Sequence, residues 1–193
     1  MKSKTYAMQF RRKRAGRTDY RRRLKLLISR KPRVIVRKTL HNFIAQVADY
    51  SQNGDLVKVS ANSSELRKHG WNYSKSNLSA AYLTGFLLGQ KAKKAGIKEA
   101  IPDIGMHESK KGVKIYAAIK GAADAGLMVP FSPEIMPSAE RIEGKHIALY
   151  AKKLKEDQQK YKKQFSEYIK NNTNPENMPE DFKKVKDTIM KVQ

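Results

Sequence analysis

The sequence predicts an α/β fold in which a mixed β-sheet packs against helices. Three β-branched segments lie between residues 33 and 59, a long apolar helical segment comes next, and a further strand and helix follow it. At 193 residues the chain suits one domain with appendages, and it is too short for two full-sized domains. We expect a basic arm with a short helix at 1–30, an α/β core at 31–128 and a C-terminal helical extension at 129–193.

The arm is expected to contain one short amphipathic helix. Apolar residues recur at helical spacing from Tyr20 to Ile28, Thr18 can cap the start, and Pro32 prevents continuation. The segment 10–17 shows no periodicity, so we expect it to fold only on a partner. The polar face of the predicted helix carries Arg21, Arg22, Arg23 and Lys25.

The core is expected to begin with three antiparallel strands. They are predicted at 34–36, at 42–48, and at 56–59 after the turn signal Asn53-Gly54. A fourth strand is predicted at 98–104. Because Pro102 cannot donate to a ladder, this strand should lie at an edge or contain a bulge.

Two helices complete the predicted core. The first starts at Ser76 or Asn77 and ends before Gly96, and its first half is apolar nearly all round, which predicts burial. Its Gly85 and Gly89 lie on one face and favour close packing on the sheet. The second helix is predicted at 112–126, with five residues directed inward: Ile115, Ala118, Ile119, Ala122 and Ala125.

The extension follows the predicted end of the core near Met128. Three prolines break the chain between residues 130 and 137, after which 145–170 is expected to form one long lysine-rich helix. A loop at 171–175 and a last short helix should follow.

The charge of the arm predicts a polyanion partner. Sixteen of the 41 Lys and Arg residues fall in the first 38 positions, where Asp19 is the sole acid, so this segment carries +15 of the formal +23. Neutralising a phosphate chain releases counterions and favours binding, whereas a surface that only confers solubility usually interleaves both signs. The composition therefore favours nucleic acid.

Several function classes receive little support. The absence of cysteine excludes disulfides, thiolate catalysis and cysteine zinc sites, and it suits a reducing compartment. The apolar stretch at 78–89 is too short to cross a bilayer. A transit peptide or a membrane-surface helix is the alternative interpretation of the basic arm, but the expected helix continues directly into the first strand. We therefore expect a soluble protein without a membrane partner.

A catalytic site is not expected either. The four histidines are scattered without metal-ligand spacing, and we find no nucleophile elbow or glycine-rich phosphate loop. A metal-dependent nuclease is the enzyme alternative, but Asp49, Asp55 and Asp103 are interpreted as solvated turn residues. We therefore expect no metal, no cofactor and no small-molecule substrate.

A second candidate surface is the segment 60–75, which mixes basic residues with the single tryptophan. Arg67, Lys68 and Lys75 favour contact with RNA, whose unpaired bases can stack on aromatic rings. For Trp71 the sequence leaves two interpretations open. The ring can stack on RNA, or it can anchor the segment to the core.

Four stretches carry a resemblance to a known family: FRRKRAGRTDYR at 10–21, SSELRKHGW at 63–71, AAYLTG at 80–85 and DIG at 103–105. With these, the chain resembles, over about residues 10–155, the archaeal branch of the universal ribosomal protein family numbered eighteen in the large subunit, whose eukaryotic members are numbered five. The resemblance implies a three-layer core of ribonuclease-H-like topology without nuclease activity. It also implies a cytoplasmic ribosomal protein that binds 5S rRNA and anchors it to large-subunit rRNA in the central protuberance.

The resemblance also assigns roles to residues. The arm and its helix match the family segment that enters 5S rRNA, and the basic end of the first hairpin matches a second RNA-facing position. The resemblance implies that the extension, which bacterial relatives lack, lies against rRNA or neighbouring ribosomal proteins. Pro102 departs from the apolar residue that the family usually has in the fourth strand. The candidate RNA-binding residues of these two segments are Arg11, Arg12, Lys13, Arg14, Arg17, Tyr20, Arg21, Arg22, Arg23 and Lys25, then Arg37, Lys38 and His41.

Overall fold

The computed structural model describes residues 7–191 and contains a four-stranded mixed sheet. Its strands are β1 (Arg33–Lys38), β2 (Phe43–Asp49), β3 (Leu56–Asn62) and β4 (Ile101–Asp103), in the order β3-β2-β1-β4. The three antiparallel strands are confirmed, and β3 continues three residues beyond its predicted end. The predicted α/β class is confirmed.

The short strand β4 pairs in parallel with β1 and is the last strand of the sheet. Pro102 lies opposite Val34, so the missing N–H is accommodated at this end of the sheet, as predicted. Beyond β4 there is an isolated bridge in which the Ala100 N–H donates to the Met128 carbonyl over 3.0 Å.

One face of the sheet is buried against two helices, α3 (Leu78–Lys94) and α4 (Lys114–Asp124), while α1 (Arg11–Arg14) and α2 (Tyr20–Ile28) precede the sheet in the chain. The Asn77 side chain caps α3 by accepting from the Ala80 N–H over 2.7 Å. Gly96, at φ +74°, follows its end in the left-handed conformation. Both predicted helices are confirmed, and so is the burial of the five inward residues of α4.

The glycines of α3 serve helix packing and not packing on the sheet, so this expectation was wrong. A Cβ on Gly85 would lie 1.9 Å from the Ala118 carbonyl oxygen of α4. In the same way, a Cβ on Gly121 of α4 would lie 2.1 Å from the Tyr82 carbonyl oxygen of α3. The two helices therefore touch backbone to backbone, which only glycine permits.

The single lysine-rich helix predicted at 145–170 is wrong. The structure has three helices in this region, α6 (Lys145–Leu154), α7 (Gln158–Gln164) and α8 (Ser166–Lys170), and α5 (Ala139–Glu143) precedes them. Gly144, at φ +82°, separates α5 from α6, and the Asp157 side chain starts α7 by accepting from the Lys160 N–H over 3.2 Å. Lysine favours helix but cannot suppress such local end signals.

The last helix, α9 (Met178–Lys191), is longer than predicted and packs on α3. The rings of Phe182 and Tyr82 lie 5.5 Å apart, and four buried residues of α9 join the main cluster of buried side chains: Met178, Phe182, Val185 and Ile189. The buried core therefore continues past Met128 and includes residues of α5 and α9. The division into arm, core and extension as separate units remains a prediction, and its residues 1–6 and 192–193 lie outside the described part.

Candidate nucleic-acid interface

The arm is held close to the start of α2 by short-range hydrogen bonds. Asp19, and not Thr18 as predicted, caps α2 by accepting from the backbone N–H groups of Arg21 and Arg22 at 3.0 and 3.1 Å. The Arg22 N–H is the main reason that the pKa of Asp19 lies below its ordinary value. Thr18 instead accepts from Arg12 Nε over 2.9 Å. The arm also has one helical turn, α1, which its sequence pattern does not predict.

The apolar residues of α2 do not enter the core. Leu24 and Ile28 are 62% and 71% exposed, and no residue of α2 is buried. The helix is attached through polar contacts, among them a hydrogen bond of 3.0 Å from Arg22 Nη1 to the Gly105 carbonyl oxygen. This leaves most of the surface of α2 available for a partner.

A chain of ion pairs joins α2 to the sheet face opposite α3 and α4. Arg23 binds Asp55 with both terminal nitrogens, at 2.8 and 3.0 Å. Arg33, which is only 1% exposed, pairs with Asp55 at 2.7 Å and with Asp103 at 2.9 Å. Arg37 completes the chain at 3.3 Å from Asp103. Five residues of α2, β1, β4 and the β2–β3 turn are thus locked together.

The ion pairs keep Asp55 in its charged form. Partial burial would raise the pKa of Asp55, but the hydrogen bonds from Arg23 and Arg33 outweigh it and hold that pKa below its ordinary value. The same bond raises the pKa of Arg23. Interpreting Asp55 and Asp103 as solvated turn residues was therefore wrong, because arginines occupy their oxygens. Asp49 remains at the surface, 3.7 Å from Lys58.

The arm and α2 keep a group of basic residues free of carboxylate partners. Between residues 7 and 191 none of the following eight forms an ion pair: Arg11, Arg12, Lys13, Arg14, Arg17, Arg21, Arg22 and Lys25. Three of them, Arg12, Arg17 and Arg22, line a groove of about 460 Å³ between the arm, α2 and β1. Arg23 and Arg37 differ from these eight, because their charges are already used inside the protein.

The turn between β1 and β2 carries further basic groups at the surface. Lys38 and His41 are exposed there. The neighbouring 3-10 helix (Ser63–His69) is tied to this turn, since Ser63 Oγ accepts from the Phe43 N–H over 2.9 Å. It displays Arg67 and Lys68 in solvent, while Lys75, beyond it, is half-buried.

Trp71 is a core residue. It has no exposed surface, its Nε1 donates to the Ser74 carbonyl oxygen over 3.1 Å, and its ring lies 4.9 Å from that of Tyr73. Of the two interpretations that the sequence left open, the structure selects the anchor. No base can reach the ring in this fold, so we remove Trp71 from the candidate interface.

Sequence reasoning missed Arg33, the centre of the ion-pair chain. Arginine is rarely buried unless it is paired, and Arg33 directly precedes a β-branched strand, which could have indicated a partner. Its partners lie 22 and 70 positions away in sequence, so they could be named only after the strand order was known.

Two further searches bear on the other function classes. Within the described part of the chain, no three His, Asp or Glu side chains are grouped so that they could hold a metal ion. Among residues 7–191, no helix has the length and apolar character needed to cross a membrane.

The fold and the surface define a basic α/β protein. Its arm and α2 expose arginines and lysines without ion-pair partners, as is typical of proteins that bind a polyanion. The family model of the ribosomal large-subunit proteins 60S L5 and 50S L18 matches residues 4–101, just over half of the chain. The chain belongs to this family. It is a ribosomal protein of the large subunit in the cytoplasmic ribosome, and binding of rRNA is typical of its family.

Proposed function

We propose that this protein binds 5S rRNA and anchors it to large-subunit rRNA in the central protuberance, the role that the archaeal branch of the family implies. The observation that carries the proposal is the set of eight basic residues on the arm and α2 without carboxylate partners. Holding such charges together is unfavourable in free solution and favourable on a phosphate chain. Lys38, His41, Arg67 and Lys68 are further exposed groups near the turn between β1 and β2 that can meet RNA.

The ion-pair chain gives α2 a fixed place on the sheet. Because Arg23 and Arg33 share Asp55, α2 cannot swing away without breaking a partly buried ion pair. A fixed helix loses less conformational entropy when RNA binds than a free one would. Arg23 and Arg37 therefore act by positioning the helix and the hairpin, while the unpaired residues contact phosphates.

Tyr20 is the aromatic group best placed for an RNA base or sugar. Its ring lies 5.2 Å from that of Phe10, which is 71% exposed, so the pair forms a small aromatic platform among the arginines. Stacking on such a ring contributes about 1 to 3 kcal/mol per base.

The proposed role is structural and not enzymatic. The strand order β3-β2-β1-β4, with β4 parallel to β1, is compatible with a ribonuclease-H-like topology, in which nucleases use carboxylates to hold metal ions. Here Asp55 and Asp103 are neutralised by arginines. Labelled RNA incubated with the protein and Mg²⁺ should stay intact, and turnover would instead support a nuclease.

Substitution of four arm residues tests the binding face. Arg11, Arg12, Arg14 and Arg17 are all exposed, so changing them to Gln should leave thermal unfolding unchanged and weaken 5S rRNA binding on the order of 100-fold. The matched control removes the same charge from α6 and α7 by changing Lys152, Lys153, Lys162 and Lys163 to Gln. Equal losses in the two variants would mean that net charge, and not the arm, drives binding.

A further inference from the structure

A second basic pocket lies away from the arm. It encloses about 700 Å³ between the end of β1, the segment that leads into α4, and the helices α5 and α6. Seven charged or titratable residues line it: Lys38, His107, Glu108, Lys110, Lys114, Arg141 and His146. They come from the sheet, from the loop after β4, from α4 and from the C-terminal helices, so the pocket exists only in the folded chain.

The charges in this pocket are not compensated within the described residues. Lys38, Lys114 and Arg141 form no ion pair there, and Glu108, the acid in the wall, is paired with Lys110. Lys114 and His146 are exposed, but partial desolvation lowers the pKa of each. The neighbouring Lys38 lowers the pKa of Lys114 further, and the charge of Arg141 does the same to that of His146. The cationic groups therefore repel one another, and an anion between them would relieve that repulsion.

The backbone around the pocket is fixed by the fold. The Gly112 N–H donates to the Ile135 carbonyl oxygen over 2.9 Å and joins the start of α4 to the segment before α5. No side chain caps α4, whose 11 residues begin at Lys114. The positive end of this helix adds to the field of the side chains.

We propose that this pocket binds a backbone phosphate of ribosomal RNA, as a second site separate from the arm. The proposal rests on the proposed function only for the identity of the anion. RNA is favoured over an acidic protein segment because Lys38 belongs both to this pocket and to the exposed hairpin end, so one RNA strand can follow both. Arg141 gives the C-terminal helices a direct part in binding, since it offers a planar fork of donors to the phosphate.

The test is a double variant, Lys114→Gln with Arg141→Gln, measured against deproteinised large-subunit rRNA. Its control is Lys152→Gln with Lys153→Gln, which removes the same charge from the exposed side of α6. We expect the pocket variant to bind at least about 10-fold more weakly than the control and to lower the salt slope by about 1.4, or about 0.7 for each lost contact. Unchanged thermal unfolding of both variants shows that the fold is intact.

Two outcomes would overturn the pocket without touching the arm. One is a pocket variant that binds rRNA as tightly as the control while the arm variant is weakened. The other is that the wild type binds polyglutamate and the pocket variant does not, while the two bind rRNA equally well. That result would assign the pocket to an acidic protein. Inorganic tripolyphosphate tests the pocket without RNA: it should shift the amide resonances of residues 112–115 in the wild type and not in the double variant. If it shifts neither, the pocket is refuted even if the arm binds RNA.

Discussion

Truncating Trp71 should destabilise the protein and leave its RNA affinity unchanged. A buried tryptophan removes about 150 to 250 Å² from water. At about 25 cal/mol per Å² this corresponds to roughly 4 to 6 kcal/mol, and Trp→Ala changes in cores cost about 3 to 5 kcal/mol. The Ser74 carbonyl also loses its donor at 3.1 Å. We expect Trp71→Ala to lower the free energy of unfolding by about 4 kcal/mol, a large part of the usual 5 to 15 kcal/mol.

The assay is urea unfolding followed by circular dichroism, together with 5S rRNA affinity corrected for the folded fraction. Trp71→Phe is the control, since it keeps a ring beside Tyr73 and should cost about 1 to 2 kcal/mol. Suppose instead that Trp71→Ala changes stability by less than about 1 kcal/mol and weakens RNA binding by about 1 to 3 kcal/mol. The ring would then contact RNA, and the assignment to the core would be wrong.

Three further predictions follow from packing, from the ion pairs and from the arm. Gly85→Ala should cost about 3 kcal/mol or more in urea unfolding, because its Cβ would meet the Ala118 carbonyl oxygen at 1.9 Å, and a near-neutral result would refute the close helix contact. The pKa of Asp55 is lower in the folded protein than in the unfolded chain, where it is near 4, so the charged carboxylate stabilises the fold above that pH. This stabilisation is lost as the pH falls through the folded pKa. Asp55→Asn should therefore be less stable than wild type in urea unfolding at pH 7, and the difference should shrink at low pH. Deleting residues 1–18 should preserve a cooperative thermal transition and weaken RNA binding by several orders of magnitude, whereas a lost transition would place the core boundary earlier.

The strands and the two inner helices could be predicted because their signals are local. The alternation at 42–48 matches the buried face of β2, and Asn77 and Gly96 mark the ends of α3 as their side-chain and backbone chemistry requires. The close contact of α3 with α4 was not predictable in the same way. Glycines four residues apart indicate a close neighbour, but they do not say whether it is a sheet or a helix.

The C-terminal region shows two different limits. Lysine content predicted a continuous helix at 145–170, but Asp157 and the non-helical backbone of Phe165 divide it. The apolar spacing of Met178, Phe182 and Ile189 was present in the sequence and indicates a buried face. It received no role because the expected core ended near Met128.

The candidate RNA face could be predicted in its location but not in its internal division. Charge density alone identified the arm, and a local pattern gave α2. Which arginines are free and which are paired depends on long-range contacts, so Arg23 was grouped with Arg21 although it is bound to Asp55. The contacts of the individual residues with RNA remain predictions.

The salt dependence of 5S rRNA binding tests the central claim most directly. Eight residues of the arm and α2 lack carboxylate partners within the described chain, and with a coefficient of about −0.7 per phosphate contact the slope of log affinity against log salt should be near −6. The measurement is filter binding of labelled 5S rRNA across a range of salt concentrations. A slope near −6 would support phosphate contacts by this face, and a slope shallower than about −2 would contradict the account.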